Sequence, residues 1–396
     1  MYDRKTAKRF ARASTVGLII APMAIAISQL AQAYEIKAGD TTATVYGTVM
    51  LDTAYYSGKN SGDFFSYSTV ATDGQRKGDG NIDMNAYRSR FGFTSSTPTA
   101  KGPFNMKIEG DFFGSGGTFR LRQAYGEWNH ILAGQTWINF GSFIGAMPVI
   151  NFVGLPGGPI AHRQAQFRVS YDNWHIALEN PKGRGGAVDS TDAAHGVTAS
   201  TSKNRLPDLT VRYEDDKGDF QYAISGLARS LEYDAKGSTT RTDNWGSDNA
   251  IGWGAALAAA YNLTSTITLH GAFTTGKGIG GYINGAPQTT PAYVDDSGDL
   301  ATIRSTGYTL SGTYKIGPGK LGIGYGQVKM DLDAAARTKT FSSGTLDSTS
   351  STFVNYLWSP LKNVTYGVET GYNTAGKVGD DNGNEVSVEA SVLYSF

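Results

Sequence analysis

The last eleven residues, Val386 to Phe396, repeat with a period of two. Val386, Val388, Ala390, Val392, Tyr394 and Phe396 fall on one side of an extended strand, and Ser387, Glu389, Ser391, Leu393 and Ser395 fall on the other. One apolar face and one mostly polar face mark a strand that separates lipid from water in a transmembrane barrel. A soluble β-sandwich alternates as well, with its apolar face inward. Periodicity alone does not choose between the two, so the choice rests on the rest of the chain.

The amino-terminus supplies the compartment. Arg4, Lys5, Lys8, Arg9 and Arg12 precede an apolar stretch from about Thr15 to Ile27 and the small-residue run Ala31-Gln32-Ala33. This is the pattern of a secretory signal cleaved after residue 33, with an apolar stretch too short to span a bilayer well. No later segment has the run of apolar residues that a transmembrane helix needs. Removing residues 1–33 takes five of the 35 basic and one of the 35 acidic residues, leaving 30 against 34, a net charge of −4. That balance argues against a nucleic-acid partner, which calls for a basic excess or patch. There are no cysteines, so an exported chain of this kind relies on a large closed sheet and not on disulfide staples. The 51 glycines, 22 tyrosines and 18 phenylalanines fit tight turns and aromatic girdles.

Residues 34–396 read as about sixteen strand-like segments in one domain. Short connectors such as Asn129-His130, Asp216-Lys217-Gly218 and Gly317-Pro318-Gly319 are rich in turn-formers. Between them fall long ones near residues 57–82, 138–162, 181–206, 233–249, 277–302 and 332–350. Short turns on one side and long loops on the other describe an outer-membrane barrel. Residues 34–396 provide about ten residues per strand plus loops, with no room for a plug domain. The expected fold is therefore an all-β, transmembrane antiparallel β-barrel of about 16 strands in the outer membrane of a Gram-negative bacterium. Trp137, Trp174, Trp245, Trp253 and Trp358 lie near strand ends, where girdle residues belong.

Charges alternate with aromatics along several strands, and hydrocarbon does not tolerate them, so they face the lumen. Tyr87, Phe91 and Phe93 on one face place Arg88 and Arg90 on the other; Phe119, Leu121 and Tyr125 do the same for Arg120 and Arg122. Arg168 and Arg212, each between apolar neighbours, continue the set, and Lys107, Glu109 and Asp111 occupy the strand between the two arginine pairs. Guanidinium groups on neighbouring strands make an electropositive wall suited to carboxylates, and charged rings commonly set ion preference in channels. The competing reading is a ladder in which Glu109, Asp111 and Glu127 neutralise the arginines and only stiffen the wall.

Gly134 to Ala161 is the most apolar connector, containing Trp137, Asn139, Phe140, Phe143, Met147, Phe152 and three prolines with almost no charge. A loop this apolar is expected to fold into the barrel and narrow it. A surface cap or a subunit contact is the alternative.

Arg88-Ser-Arg-Phe-Gly-Phe-Thr-Ser-Ser-Thr-Pro98, Glu109-Gly-Asp-Phe-Phe113, Phe119-Arg-Leu-Arg-Gln-Ala-Tyr-Gly-Glu127 and Gly134-Gln-Thr-Trp137 with Asn139-Phe140 resemble the DcaP-like family of outer-membrane porins. The resemblance is specific over about residues 87–171. It implies a homotrimer of sixteen-stranded barrels passing small anions, dicarboxylates among them. Members of that family can carry an amino-terminal coiled coil, whereas only Tyr34 to about Thr42 precede the first strand here, without heptads. The ending Tyr394-Ser-Phe396 resembles the sorting signal of outer-membrane barrels, which implies the barrel assembly machinery, outer-membrane lipid and lipopolysaccharide as partners.

The remaining motifs are weak. Gly276-Lys-Gly-Ile-Gly-Gly281 fits a dinucleotide fingerprint but enters a polar loop and not a helix. The five histidines lack metal-ligand spacing, so no metal or other cofactor is expected. Acidic groups at Asp189 and Asp192, at Asp295, Asp296 and Asp299, and at Asp380 and Asp381 fit solvated outer loops, with Ca²⁺ held beside lipopolysaccharide as the sharper alternative. His195 near Ser190 sets no catalytic geometry, so a barrel hydrolase ranks below a channel, as does a closed structural or adhesive barrel.

Overall fold

The computed structural model describes residues 34–160, 162–183, 202–234, 247–295, 297–337, 344–379 and 381–396. The leader, Trp245, the Ser190 to His195 group, and Asp189, Asp192, Asp296 and Asp380 lie outside the described residues.

The chain forms a closed antiparallel barrel of sixteen strands. The strands are β2 (Thr41–Tyr56), the interrupted pair β3 (Asn81–Asn85) and β4 (Arg90–Thr97), β5 (Phe104–Asp111), β6 (Arg120–Trp128), β7 (Ile131–Trp137), β8 (Arg163–Tyr171) and β9 (Trp174–Glu179). They continue through the pair β10 (Ser202–Lys203) and β11 (Asp208–Asp216), then β12 (Phe220–Asp234), β13 (Ser247–Asn262), β14 (Ile267–Lys277), β17 (Arg304–Ile316), β18 (Gly319–Met330), β19 (Leu346–Leu361), β20 (Val364–Lys377) and β21 (Asn382–Ser395). β21 pairs with β2 from Thr48↔Ser395 to Tyr56↔Ser387, which closes the cylinder. A short β1 (Tyr34–Ala38) folds back on the foot of β2, and β15 (Ala292–Val294) pairs with β16 (Leu300–Thr302) as a ribbon inside one loop.

Each strand keeps its period. In β21, Val386, Val388 and Tyr394 are exposed while Ser387, Glu389, Ser391, Leu393 and Ser395 are buried. The inversion is the one a barrel in lipid requires: Ile251, Leu310 and Val49 stand outside, and Asp52, Glu109, Arg122 and Glu389 are buried inside. Hairpins turn where the residues permit it. Asn129 and His130, with φ of 47° and 71°, close β6 and β7 with a two-residue turn whose left-handed geometry suits the strand twist. The outer connectors number eight, because residues 112–119 and 378–381 join the six long loops read from the sequence. At the periplasmic end Tyr356, Trp358 and Tyr366 stack at 5.4 and 5.5 Å, an outward aromatic group of the girdle type.

Candidate functional site: the constricted lumen

The loop of residues 138–162 enters the barrel and runs along its inner wall. At its base the Asn139 N–H donates to Glu179 Oε1 at 2.7 Å, and the Asn139 amide donates to the carbonyls of His175 and Thr210. Arg212 donates to the carbonyls of Asn139 and Gly141, and Ser142 Oγ donates to Glu214 at 2.8 Å. Ile144 then packs on Ala223, Ala258 and Ala260, and Met147 and Val149 on Phe353. At the tip, the N–H groups of Ile150 and Asn151 donate to Glu369 at 3.0 and 2.8 Å, and the Asn151 amide donates to Glu389 at 2.5 Å. The returning limb lies on β17 and β18, held by Asn284, whose amide donates to the carbonyls of Val153 and Leu155, both at 2.9 Å. Buried polar groups are costly without partners, so each charged anchor offsets the desolvation of the loop backbone. The apolar anchors Ile138, Phe140 and Ile150, at 1%, 0% and 1% exposure, each contribute about 1.5–3 kcal/mol.

This path covers the sector from β11 round to β21. The sector from β4 to β8 is left bare, and it is the one that carries the arginines. Arg122 donates to Glu109 at 2.9 Å and to Asp111 at 2.7 Å, Arg120 donates to Asp111 at 2.7 Å, and Lys107 lies 3.4 Å from Glu109. Part of the set is therefore the neutralising ladder. Arg88 sits in the break between β3 and β4, where it pairs with Asp52 and donates to the carbonyl of Ile150 at 2.6 Å. Arg88 and Arg212 are thus struts of the loop, although Arg88 still borders the cavity. Arg90 and Arg168 have no ion-pair partner among the described residues, and the Nε of each is buried without an acceptor. Both face inward, since Arg90 pairs across strands with Asp111 and Arg168 with the buried Ala177.

Tyr125 is not on the outer face with Phe119 and Leu121. A β-bulge sets Glu109 opposite Gln123 and Gly110 opposite Leu121, so Arg122 is an extra residue and parity reverses beyond it. Tyr125 then pairs with Lys107 inside the lumen. Trp137 belongs to the constriction and not to a girdle, meeting Phe143 edge-on at 5.1 Å. Phe152 stacks on Phe113 at 3.9 Å, and Phe113 on Phe64 at 3.9 Å, so three connectors meet above the arginines. The Arg120 guanidinium lies 4.4 Å over Phe113. Between loop and wall is a cavity of about 510 Å³ bordered by Arg90, Arg120, Arg122, Phe143 and Phe152.

Arg163, which sequence reading does not count among the lumen-facing arginines, borders the same cavity and stacks on Trp137 at 4.4 Å. Sequence reading also passes over the acceptors Asp52, Glu179, Glu214 and Glu369, which no local pattern marks as loop anchors. In the loop between β14 and β15, Tyr282 donates to Asp208 at 2.9 Å and accepts from the Gln164 amide at 2.7 Å. Burial, with Glu179 and Asp208 nearby, holds its hydroxyl well above the ordinary tyrosine range, so it stays a donor. Replacing Glu369 by alanine removes the acceptor of two loop N–H groups and of the Asn355 amide. The expected result is a looser loop tip, read as increased open-channel noise in planar bilayers; unchanged noise counts against the anchor.

A closed barrel whose strands face lipid outside and charge inside, narrowed by an inward loop, defines a porin-type channel of the outer membrane. The profile of the DcaP outer membrane protein family matches residues 24–285, and the chain belongs to that family. The outer membrane channel DcaP of Acinetobacter baumannii is 22% identical with a TM-score of 0.76, over 92% of this chain and 99% of that one. An anion-selective porin from Comamonas acidovorans is 11% identical with a TM-score of 0.58, over 90% of this chain and 100% of that one. OmpT of Vibrio cholerae is 12% identical with a TM-score of 0.56, over 92% of this chain and 100% of that one. At these identities the likenesses speak for the fold. No curated protein sequence matches the chain.

Proposed function

We propose that the chain is a passive, water-filled diffusion channel that prefers small anionic solutes, carboxylates and dicarboxylates among them, and that it performs no covalent chemistry. The observation that carries this reading is the position of Arg90: an arginine without an ionic partner among the described residues, bordering the cavity on the sector of wall the loop leaves bare. Arg168 extends the positive bias toward the periplasmic end. The ladder of Glu109, Asp111, Arg120 and Arg122 holds the wall rigid beside Arg90. Such a wall attracts carboxylates while releasing them to water on either side, as conduction requires. A solved structure of similar fold, described as an anion-selective porin, supports the preference. In the same reading residues 1–33 are removed as a signal, Tyr394 and Phe396 are read by the assembly machinery, lipopolysaccharide surrounds the outer rim, and the barrel works as a homotrimer.

The test is the reversal potential under a salt gradient. Arg90→Gln combined with Arg168→Gln is expected to reduce the anion-to-cation permeability ratio at nearly unchanged conductance. A ratio equal to that of the unaltered channel contradicts the proposal.

A further inference from the structure

A buried histidine stands where the constriction loop rejoins the barrel, and we propose that it is a proton-operated latch on the constriction. His162, 5% exposed, immediately precedes β8. Its Nδ1 lies 3.2 Å from the carbonyl oxygen of Gly281, and its Nε2 lies 3.1 Å from Gln164 Oε1. A carbonyl only accepts. The Gln164 side chain is fixed in its sense, since its amide nitrogen donates to Glu179 Oε2 at 2.6 Å and to the Tyr282 hydroxyl at 2.7 Å, and that hydroxyl gives its own proton to Asp208. Turned over, the Gln164 oxygen would lie against two acceptors. Both ring nitrogens of His162 therefore face acceptors, and only the imidazolium carries a proton on each.

The surroundings carry the charge to match. Glu179 on β9 and Asp208 on β11 are 1% and 0% exposed, and Arg229 on β12 lies 3.3 Å from Asp208 with its guanidinium over the Tyr282 ring. Glu179 accepts from the Asn139 N–H, the Thr210 hydroxyl and the Gln164 amide. Of the other cations nearby, Arg212 is committed to Glu214 and to the loop carbonyls, and Arg163 stacks on Trp137. Two buried carboxylates and one guanidinium leave one negative charge, which the imidazolium balances.

Gly281 belongs to the loop between β14 and β15 that carries the returning limb. Three residues on, Asn284 holds Val153 and Leu155 through its amide, and its backbone bonds those of Gly157 and Gly158. Protonated, His162 ties this support to β8 through Gln164. Loss of one proton sets a ring lone pair against an oxygen at hydrogen-bond distance, so one of the two ties opens. The limb is held at low pH and released as pH rises through the transition. The ring borders the cavity, which gives water a route to it. This inference rests on the channel reading, with the loop as its constriction, and not on ion preference.

Open-channel noise in planar bilayers is recorded over roughly pH 5–9, the span around the ordinary histidine range. The expected result is a quiet channel in acid and a rise in noise with the slope of a single proton. His162→Gln is expected to abolish the transition and to hold the noise at the level the unaltered channel reaches at high pH. His270→Gln removes another ring that meets the loop, at the Ile144 carbonyl, and keeps the transition. In the unaltered protein, hydrogen exchange of residues 153–158, corrected for the intrinsic effect of pH, follows the same transition, a readout that depends neither on a variant nor on ion flow. A transition that survives His162→Gln or vanishes in His270→Gln, or exchange that does not change with pH, overturns the latch.

Discussion

Replacing Gly326 by valine is expected to lift the returning limb of the constriction loop from the wall and to raise single-channel conductance. A Cβ at position 326 stands 2.3 Å from the carbonyl oxygen of Pro156 and 3.1 Å from its nitrogen, both backbone atoms without freedom to turn aside. The same contact seen from the loop is as tight. Gly157, at φ +103°, has room for no Cβ, because one lies 2.3 Å from the Gln327 carbonyl oxygen. Overpacking of this kind costs about 1–3 kcal/mol, comparable to what the returning limb gains from its own bonds to Asn284. The returning limb therefore leaves β18, while the barrel and the loop's other anchors stay. Gly157→Ala is expected to give the same wide channel, and the double variant is not additive, since both remove one contact. Liposome swelling with solutes of increasing size measures the change. A size cut-off equal to that of the unaltered protein contradicts the path assigned to the loop.

Arg122→Met is expected to be the most damaging change in the wall. Arg122 is 2% exposed and bridges Glu109 and Asp111, at 4% and 1% exposure. Removing one member of a buried ionic cluster leaves charge without compensation and costs about 3–5 kcal/mol. Lys107 and Arg120 remain beside the two carboxylates, so the loss is partial, and Arg122→Met with Glu109→Gln recovers part of it. The readout is the temperature at which the folded barrel loses its compact electrophoretic mobility, with a marked fall for Arg122→Met and little change for Arg90→Gln. Equal temperatures for the two arginine variants contradict the division between structural and solute-facing charge.

Much of this architecture is legible in the sequence. Val388, Glu389, Ala390 and Ser391 announce which side of β21 meets lipid once the signal pattern, the aromatic ending and the rhythm of short turns and long loops have set the barrel above the sandwich. The apolar run from Phe143 to Phe152 announced its inward course for the same reason: it has nothing to offer water. What strict alternation cannot show is where it breaks. The bulge at Arg122 and Gln123 sends Tyr125 to the lumen, and no residue in that stretch signals the insertion. Partner choice is equally hidden, since the bonds of Arg88 to Asp52 and to Ile150 join residues 36 and 62 positions apart. The facing of Arg163 is not legible either, because it follows a loop, where parity has no reference. One signal was present and unread: Gly322, Gly324 and Gly326 on the inner face of β18 leave a smooth track, along which Met147, Leu155 and Pro156 lie.

A water-filled lumen with an unbalanced positive wall is the central proposal. Purified protein in a planar bilayer under a tenfold potassium chloride gradient tests it most directly. Discrete conductance steps with a reversal potential of the sign for chloride selectivity are the expected result; a silent bilayer, or a potential of the opposite sign, contradicts it.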